Sequence, residues 1–374
     1  MGIGNELIGD VEELLTRNVI SSKGLFRFST NGNVNYCSVF ENEVSKLYHG
    51  YHTLMLPSAS VGLVAILKAL GISGGDEILI PPFSWKANYA ALDIMGCLTH
   101  FVDIDENLAI KPQAIEEKIT PNSKAVIVPH LMGRAQRYIK EIAELCKNKN
   151  LLLIEDISQS FGVKLDNKMI GTFGDASYCS LNHHKIISTG DGGFVLIKDK
   201  AIFESIMSLH DQGCHISNGK RIIPSPSGFG SSLRVSNIIG AVALAQLTRF
   251  FLIKTKVWNC YNKVQSIMKE HCPHKELPLN KGDIPFFYLF KTVDDCKIQL
   301  PTLRESGWHS VQNIDSFTDI QKGSLQVNYF YLSQVYSIGA GLIDKYYSTP
   351  LGLSINHNDD SIEQLKRKLK ETIL

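Results

Sequence analysis

The chain has 374 residues, 44% hydrophobic and 20% charged, which excludes a disordered polypeptide and allows two globular domains. Lys and Arg total 38 against 37 Asp and Glu, so the net charge of +1 argues against a polyanion-binding surface. Hence no nucleic-acid partner is expected. No apolar run approaches bilayer length and no signal sequence opens the chain, so no membrane association and a cytoplasmic setting are expected.

In chain order, short apolar runs bounded by Gly, Pro and Asp predict strands at Glu77 to Pro81, Leu98 to Val102, Ala125 to Val128, Leu151 to Ile154, Ser177 to Leu181 and Gly193 to Ile197. Helical spacing falls between them, at Ser60 to Leu70, Lys86 to Met95, Lys140 to Asn148 and Ala201 to His210. This alternation predicts an α/β fold with a mostly parallel sheet and helices on both faces. A Pro-, Ser- and Gly-rich loop, Asn218 to Ser232, precedes one long predicted helix, Asn237 to Trp258. A smaller α+β domain follows, with a strand at Phe286 to Phe290 and a charged helix at Asp360 to Lys370. The expected division is a large domain over 1–250 and a small one over 251–374. The eight cysteines form no C-x-x-C pair, and the run His271-Cys272-Pro273-His274 lacks a second ligand cluster, so no metal is expected.

Ligands of such sheets bind at the carboxyl ends of strands. Three features fall there. Ser58-Ala59-Ser60 opens a helix whose free N–H groups suit a phosphate, although Ser58 is equally a plain N-cap. Asp156 ends a very apolar strand, where a carboxylate needs a partner or serves as a cap. Lys185 is confined between two apolar strands, where a depressed pKa makes an amine nucleophilic. His183 and His184, taken as extended chain, are expected to point to opposite sides and to be poor joint ligands. A lysine, an acid and a phosphate cradle together suit pyridoxal phosphate, with Trp85 as an aromatic platform. No G-x-G-x-x-G follows the first strand and no G-x-x-x-x-G-K-[ST] occurs, which argues against nicotinamide and nucleoside-triphosphate enzymes.

The chain resembles the DegT/DnrJ/StrS sugar aminotransferases, a branch of the fold-type I pyridoxal-phosphate enzymes. The resemblance rests on Gly75-Asp76-Glu77, Pro81 to Trp85, Val102 to Asp105, Glu155-Asp156 with Gln159-Ser160, Gly171 to Asp175, and Lys185 followed by Gly190-Asp191-Gly192-Gly193. It implies that Lys185 is the Schiff-base lysine, that Asp156 pairs with the pyridine nitrogen and that Gln159 contacts the phenolic oxygen. It further implies ring stacking by Trp85 and phosphate contacts from Ser58, Ala59, Ser60 and Ser180. Two departures stand out. Ser58-Ala59-Ser60 replaces the family's Ser-Gly-Thr, and Ser232 replaces an Asn that reaches the cofactor of a neighbouring subunit. The family's C-terminal substrate segment is hard to recognise between Ser306 and Tyr336.

The implied activity is transfer of an amino group from glutamate or glutamine to a keto-sugar or keto-cyclitol, with pyridoxamine phosphate as the intermediate form. The implied assembly is a homodimer with shared active sites. His183 and His184 either touch substrate or pack, and Arg234, with Lys220 and Arg221, is a candidate for an anionic substrate. The alternatives are a dehydratase of the same family, which resembles this chain but carries His in place of the lysine, and a non-catalytic pyridoxal-binding regulator.

Overall fold

The computed structural model describes residues 2–28, 33–217, 220–222, 230–293, 336–341, 352–354 and 356–372. Three helices come first: α1 (Ile3–Glu6), α2 (Asp10–Ser21) and α3 (Tyr36–Leu47). Strands and helices then alternate: β1 (His52–Leu56), α4 (Ala59–Ala69), β2 (Glu77–Ile80), α5 (Lys86–Ile94) and β3 (Leu98–Phe101). Next come α6 (Pro112–Glu116), β4 (Ser123–Pro129), α7 (Ile139–Asn148) and β5 (Leu152–Asp156). A two-residue hairpin, β6 (Lys164–Leu165) and β7 (Lys168–Met169), leads to β8 (Ala176–Ser180), β9 (Gly193–Ile197) and α8 (Lys200–His210).

The main sheet has seven strands in the order β1-β9-β8-β5-β4-β2-β3. Only β9 runs against the others. The mostly parallel sheet is therefore mixed, and reversal of β9 brings Gly193 level with Leu56 and Ser180 at the carboxyl edge. Side chains alternate across the strands. Leu54, Ile78, Ile127, Ile154, Tyr178 and Val195 join the helices α4, α5 and α8 on one face. Met55, Leu79, Val126, Leu153, Cys179 and Phe194 join α3 and α7 on the other. Both faces are covered, which is why these strands are continuous apolar runs. β1 was not among the predicted strands, since His52 and Thr53 dilute its apolar signal.

The expected single helix from Asn237 to Trp258 is two: α9 (Asn237–Thr248) and α10 (Phe250–His271), bent by 58°. The break falls at Arg249, whose guanidinium is drawn aside to Leu7 O at 2.6 Å and to Glu12. Among the described residues no single helix is long and apolar enough to cross a membrane. Beyond α10, β10 (His274–Glu276), β11 (Phe287–Thr292), β12 (Tyr336–Gly341) and β13 (Gly352–Ser354) form a second sheet, backed by α10 and a final helix α11 (Asp359–Thr372). Tyr261, Val264, Met268, Phe290, Leu353 and Leu365 make a separate core there. Most of the segment between Ser306 and Tyr336, where the substrate contacts were hard to recognise, lies outside the described residues.

Candidate active site

The carboxyl ends of β1, β5 and β8 converge on one cleft. Ser58, Ala59, Ser60, Trp85, Asp156, Gln159, Ser180 and Lys185 all line it. So do Asn88, Ser158, Tyr178 and Asn182, which sequence reasoning missed.

Asp156 is only 4% exposed. Its Oδ2 accepts from Asn88 Nδ2 at 3.0 Å, and its Oδ1 accepts from the Ser158 N–H at 2.9 Å. Asn88 is fixed in turn by donating to Ser84 Oγ at 2.7 Å. These bonds offset the cost of burying the carboxylate and fix its direction. Ser84 lies in the Pro81 to Trp85 segment that leads into α5, and Asn88 lies in the first turn of that helix.

Lys185 is 7% exposed. Burial pushes its amine below the ordinary lysine value, and the Asp156 carboxylate opposes that shift in part. Gln159 commits its Oε1 to the Met132 N–H at 3.1 Å, which leaves its NH2 as donor. Trp85 stands at the N-terminus of α5, half-buried.

At the other end of the cleft, Ser58 caps α4, its Oγ accepting from Val61 N–H at 3.2 Å. The Ala59 and Ser60 N–H groups lie in the first turn, where no intrahelical acceptor exists. Ser180 Oγ accepts from Asn182 N–H at 3.3 Å and keeps its own proton to donate. The start of β9 passes so close that a Cβ built at Gly193 would lie 2.5 Å from Ala59 N. No side chain fits between strand and turn there.

The remaining predicted residues lie elsewhere. Arg234 donates to Asp211, as does Arg221, whose Nε reaches Oδ2 at 2.6 Å. Asp211 is fully buried, and Ser232 forms a backbone bridge with it. None of Arg221, Ser232 or Arg234 lines the cleft. The Lys220 side chain lies outside the described residues. The expectation for the two histidines is corrected. The chain turns at His183 and His184, so their rings come together at 3.7 Å instead of diverging. Neither lines the cleft, and no metal-binding cluster occurs among the described residues.

The cleft fits pyridoxal phosphate. A buried lysine and a buried, oriented carboxylate face one space, and the free N–H groups of α4 close one end. The Tyr178 hydroxyl supplies a further observation. It is buried in the cleft wall beside Asp156 without a hydrogen bond of ordinary length, and burial, with the Asp156 carboxylate next, pushes its pKa well up. A lone buried donor costs about 1–3 kcal/mol, a deficit that a bound polar group removes.

Fold and cleft together are those of a fold-type I pyridoxal-phosphate enzyme. The sequence profile of the DegT/DnrJ/EryC1/StrS aminotransferase family matches residues 17–293, and the chain belongs to that family. It is 34% identical over 274 residues to GDP-perosamine synthase of Escherichia coli O157:H7, covering 71% of each chain. It is 27% identical over 236 residues to L-glutamine:2-deoxy-scyllo-inosose aminotransferase of Streptomyces fradiae, covering 60% of this chain and 55% of the relative. The crystal structure of aminotransferase TlmJ from Streptoalloteichus hindustanus superposes with a TM-score of 0.79 at 20% identity, over 97% of this chain and 96% of that one.

Proposed function

We propose that the chain moves an amino group from glutamate or glutamine to a keto-sugar, nucleotide-linked, or to a keto-cyclitol, in amino-sugar biosynthesis. The observation that carries this reading is the meeting of buried Lys185 and buried Asp156 in one cleft. The relatives narrow the substrates: one is named for a GDP-sugar product, the other for glutamine and a keto-cyclitol.

Bound pyridoxal phosphate supplies the electron sink that acidifies the donor's α-carbon and carries the amino group between donor and acceptor. The N–H groups of Ala59 and Ser60 and the Ser180 hydroxyl would hold its phosphate, with Ser58 fixing the turn. Trp85 would cover its ring and Gln159 would donate to its phenolic oxygen. Asp156 holds a proton at the pyridine nitrogen, since its two fixed oxygens present a carboxylate with lone pairs to spare. Lys185 takes a proton at the donor's α-carbon, as a general base whose burial favours the neutral amine. The reverse transfer delivers that proton when the acceptor is aminated. Retention of a lysine, rather than a histidine, favours amino transfer over the dehydratase reading.

The working assembly in this proposal is a homodimer. Ser232 and Arg234 sit on a segment outside their own chain's cleft, the position that residues completing a partner's site would take. The test is a pair of half-reactions. Glutamate or glutamine converts the bound cofactor to its pyridoxamine form, and a panel of keto-sugars and keto-cyclitols regenerates it. Lys185→Ala abolishes both, together with borohydride fixation of cofactor to protein. Fixation that survives Lys185→Ala overturns the assignment.

A further inference from the structure

Two glycines far from Lys185 in sequence press against the turn that carries it, on either side of the lysine. The Gly4 N–H donates to Lys185 O at 3.0 Å. A Cβ at Gly4 would lie 2.7 Å from Ser188 N, 2.7 Å from Gln246 Oε1 and 2.9 Å from Ile186 O. A Cβ at Gly2 would lie 2.1 Å from His183 O and 2.4 Å from His184 Cα. Neither glycine has a positive φ. Space, not backbone conformation, therefore requires glycine at both positions. Between them Ile3 is 1% exposed and shares a core with Leu181, Ile186 and Ile187, on either side of the lysine.

The segment is anchored in turn. Buried Glu12 accepts from Gln246 Nε2 at 2.7 Å and from the Gly9 N–H at 3.0 Å, and Arg249 joins it. Gln246 Oε1 accepts from the Ser188 N–H at 3.3 Å. One chain of bonds thus runs from α2 through α9 to the residues just after Lys185. From inside the turn, Lys185 N–H bonds only Asn182 O, at 3.0 Å. The Gly4 bond holds the carbonyl on the other side of the same residue.

We infer that residues 2–4 form a positioning strap, which fixes the main chain of Lys185 so that its amine is delivered to the cofactor carbon it attacks. The inference rests on the proposed role of Lys185. A reacting amine displaced by about 1 Å loses about a hundredfold in rate. The strap acts through Lys185 and touches no reactant itself.

The test compares the holoenzyme with Gly2→Ala, Gly4→Ala, Ile3→Ala and Gly282→Ala. Gly282 is the matched control: its Cβ would lie 2.2 Å from Lys164 O, on the β6–β7 hairpin away from the cleft. The readouts are the rate at which borohydride fixes cofactor to protein and the pH midpoint of the bound cofactor's absorbance. Gly2→Ala and Gly4→Ala are expected to slow fixation by about tenfold or more and to shift the midpoint. Cofactor stays bound in both, because the α4 end is untouched. Ile3→Ala loosens the strap without a clash, and decides the matter if the alanine variants do not fold; it is expected to slow fixation severalfold. Gly282→Ala keeps both wild-type values. Wild-type values in Ile3→Ala and in the folded glycine variants overturn the strap alone. Equal losses in Gly282→Ala also overturn it, as general destabilisation. A wild-type enzyme that borohydride does not fix overturns the strap and the role of Lys185 together.

Discussion

The two ends of the cleft are built from different materials. The Asp156 end is made chiefly of side chains: a carboxylate, an amide and a hydroxyl joined in series, with the Ser158 N–H on the second carboxylate oxygen. The α4 end is made of main chain, with a small-residue turn set close above the start of β9. A side-chain end tolerates no change of chemistry but tolerates backbone adjustment. A main-chain end tolerates side-chain change but no added bulk. Ser58-Ala59-Ser60 in place of Ser-Gly-Thr keeps the main-chain N–H groups and the capping hydroxyl, and the added Ala59 methyl packs into the α4 core.

The contrast is broken most severely by Asp156→Asn. It keeps the shape and removes the charge, and is expected to lower amino transfer about a hundredfold while cofactor remains bound, as single-turnover kinetics will register. Gly193→Ala should do the opposite. Bulk between β9 and Ala59 is expected to weaken cofactor affinity by about tenfold or more, read by absorbance titration, with smaller loss of rate at saturation. If Gly193→Ala binds cofactor as wild type does, the main-chain account of that end fails.

Lys185 adds a pH dependence. In the cofactor-free protein its native pKa is depressed by burial below 10.5, so between the two values the unfolded chain binds the extra proton. Stability therefore falls as pH drops through that window, by at most about 1.4 kcal/mol per pH unit, and the penalty is constant below it. Lys185→Met removes the penalty. Its melting advantage over wild type is expected to vanish above 10.5 and to grow as the pH drops below it, levelling off beneath the native value. The smallest effect belongs to Ser58→Ala. Loss of the α4 cap should cost about 1 kcal/mol in denaturant unfolding, with cofactor still bound through the Ala59 and Ser60 N–H groups.

The same contrast explains what was legible in the sequence. Strands buried on both faces announce themselves as apolar runs, and a lysine or aspartate at their ends is conspicuous. Lys185, Asp156 and Trp85 were found in that way, Gln159 came through the family resemblance, and all four line the cleft. Asn88 was not found, because an asparagine inside a helix has no signature until its partner, remote in sequence, is placed beside it. Nor were Tyr178 and Ser158, which look like ordinary strand and turn residues. The break at Arg249 was hidden because apolar spacing continues across it, while Glu12, which Arg249 meets there, lies far away in sequence on α2. Gly2 and Gly4 carry no local signal either, since their close neighbours come from the lysine turn.

The reversal of β9 has a consequence for the order of folding. The lysine turn lies within a local hairpin, β8–β9, which the chain closes early. The α4 turn follows β1, and β1 reaches that hairpin only through the distant β1–β9 ladder. Loop-closure entropy makes such long-range pairing slow. Tight capture of the cofactor during refolding therefore times the closing of the last edge of the sheet rather than the first collapse of the chain.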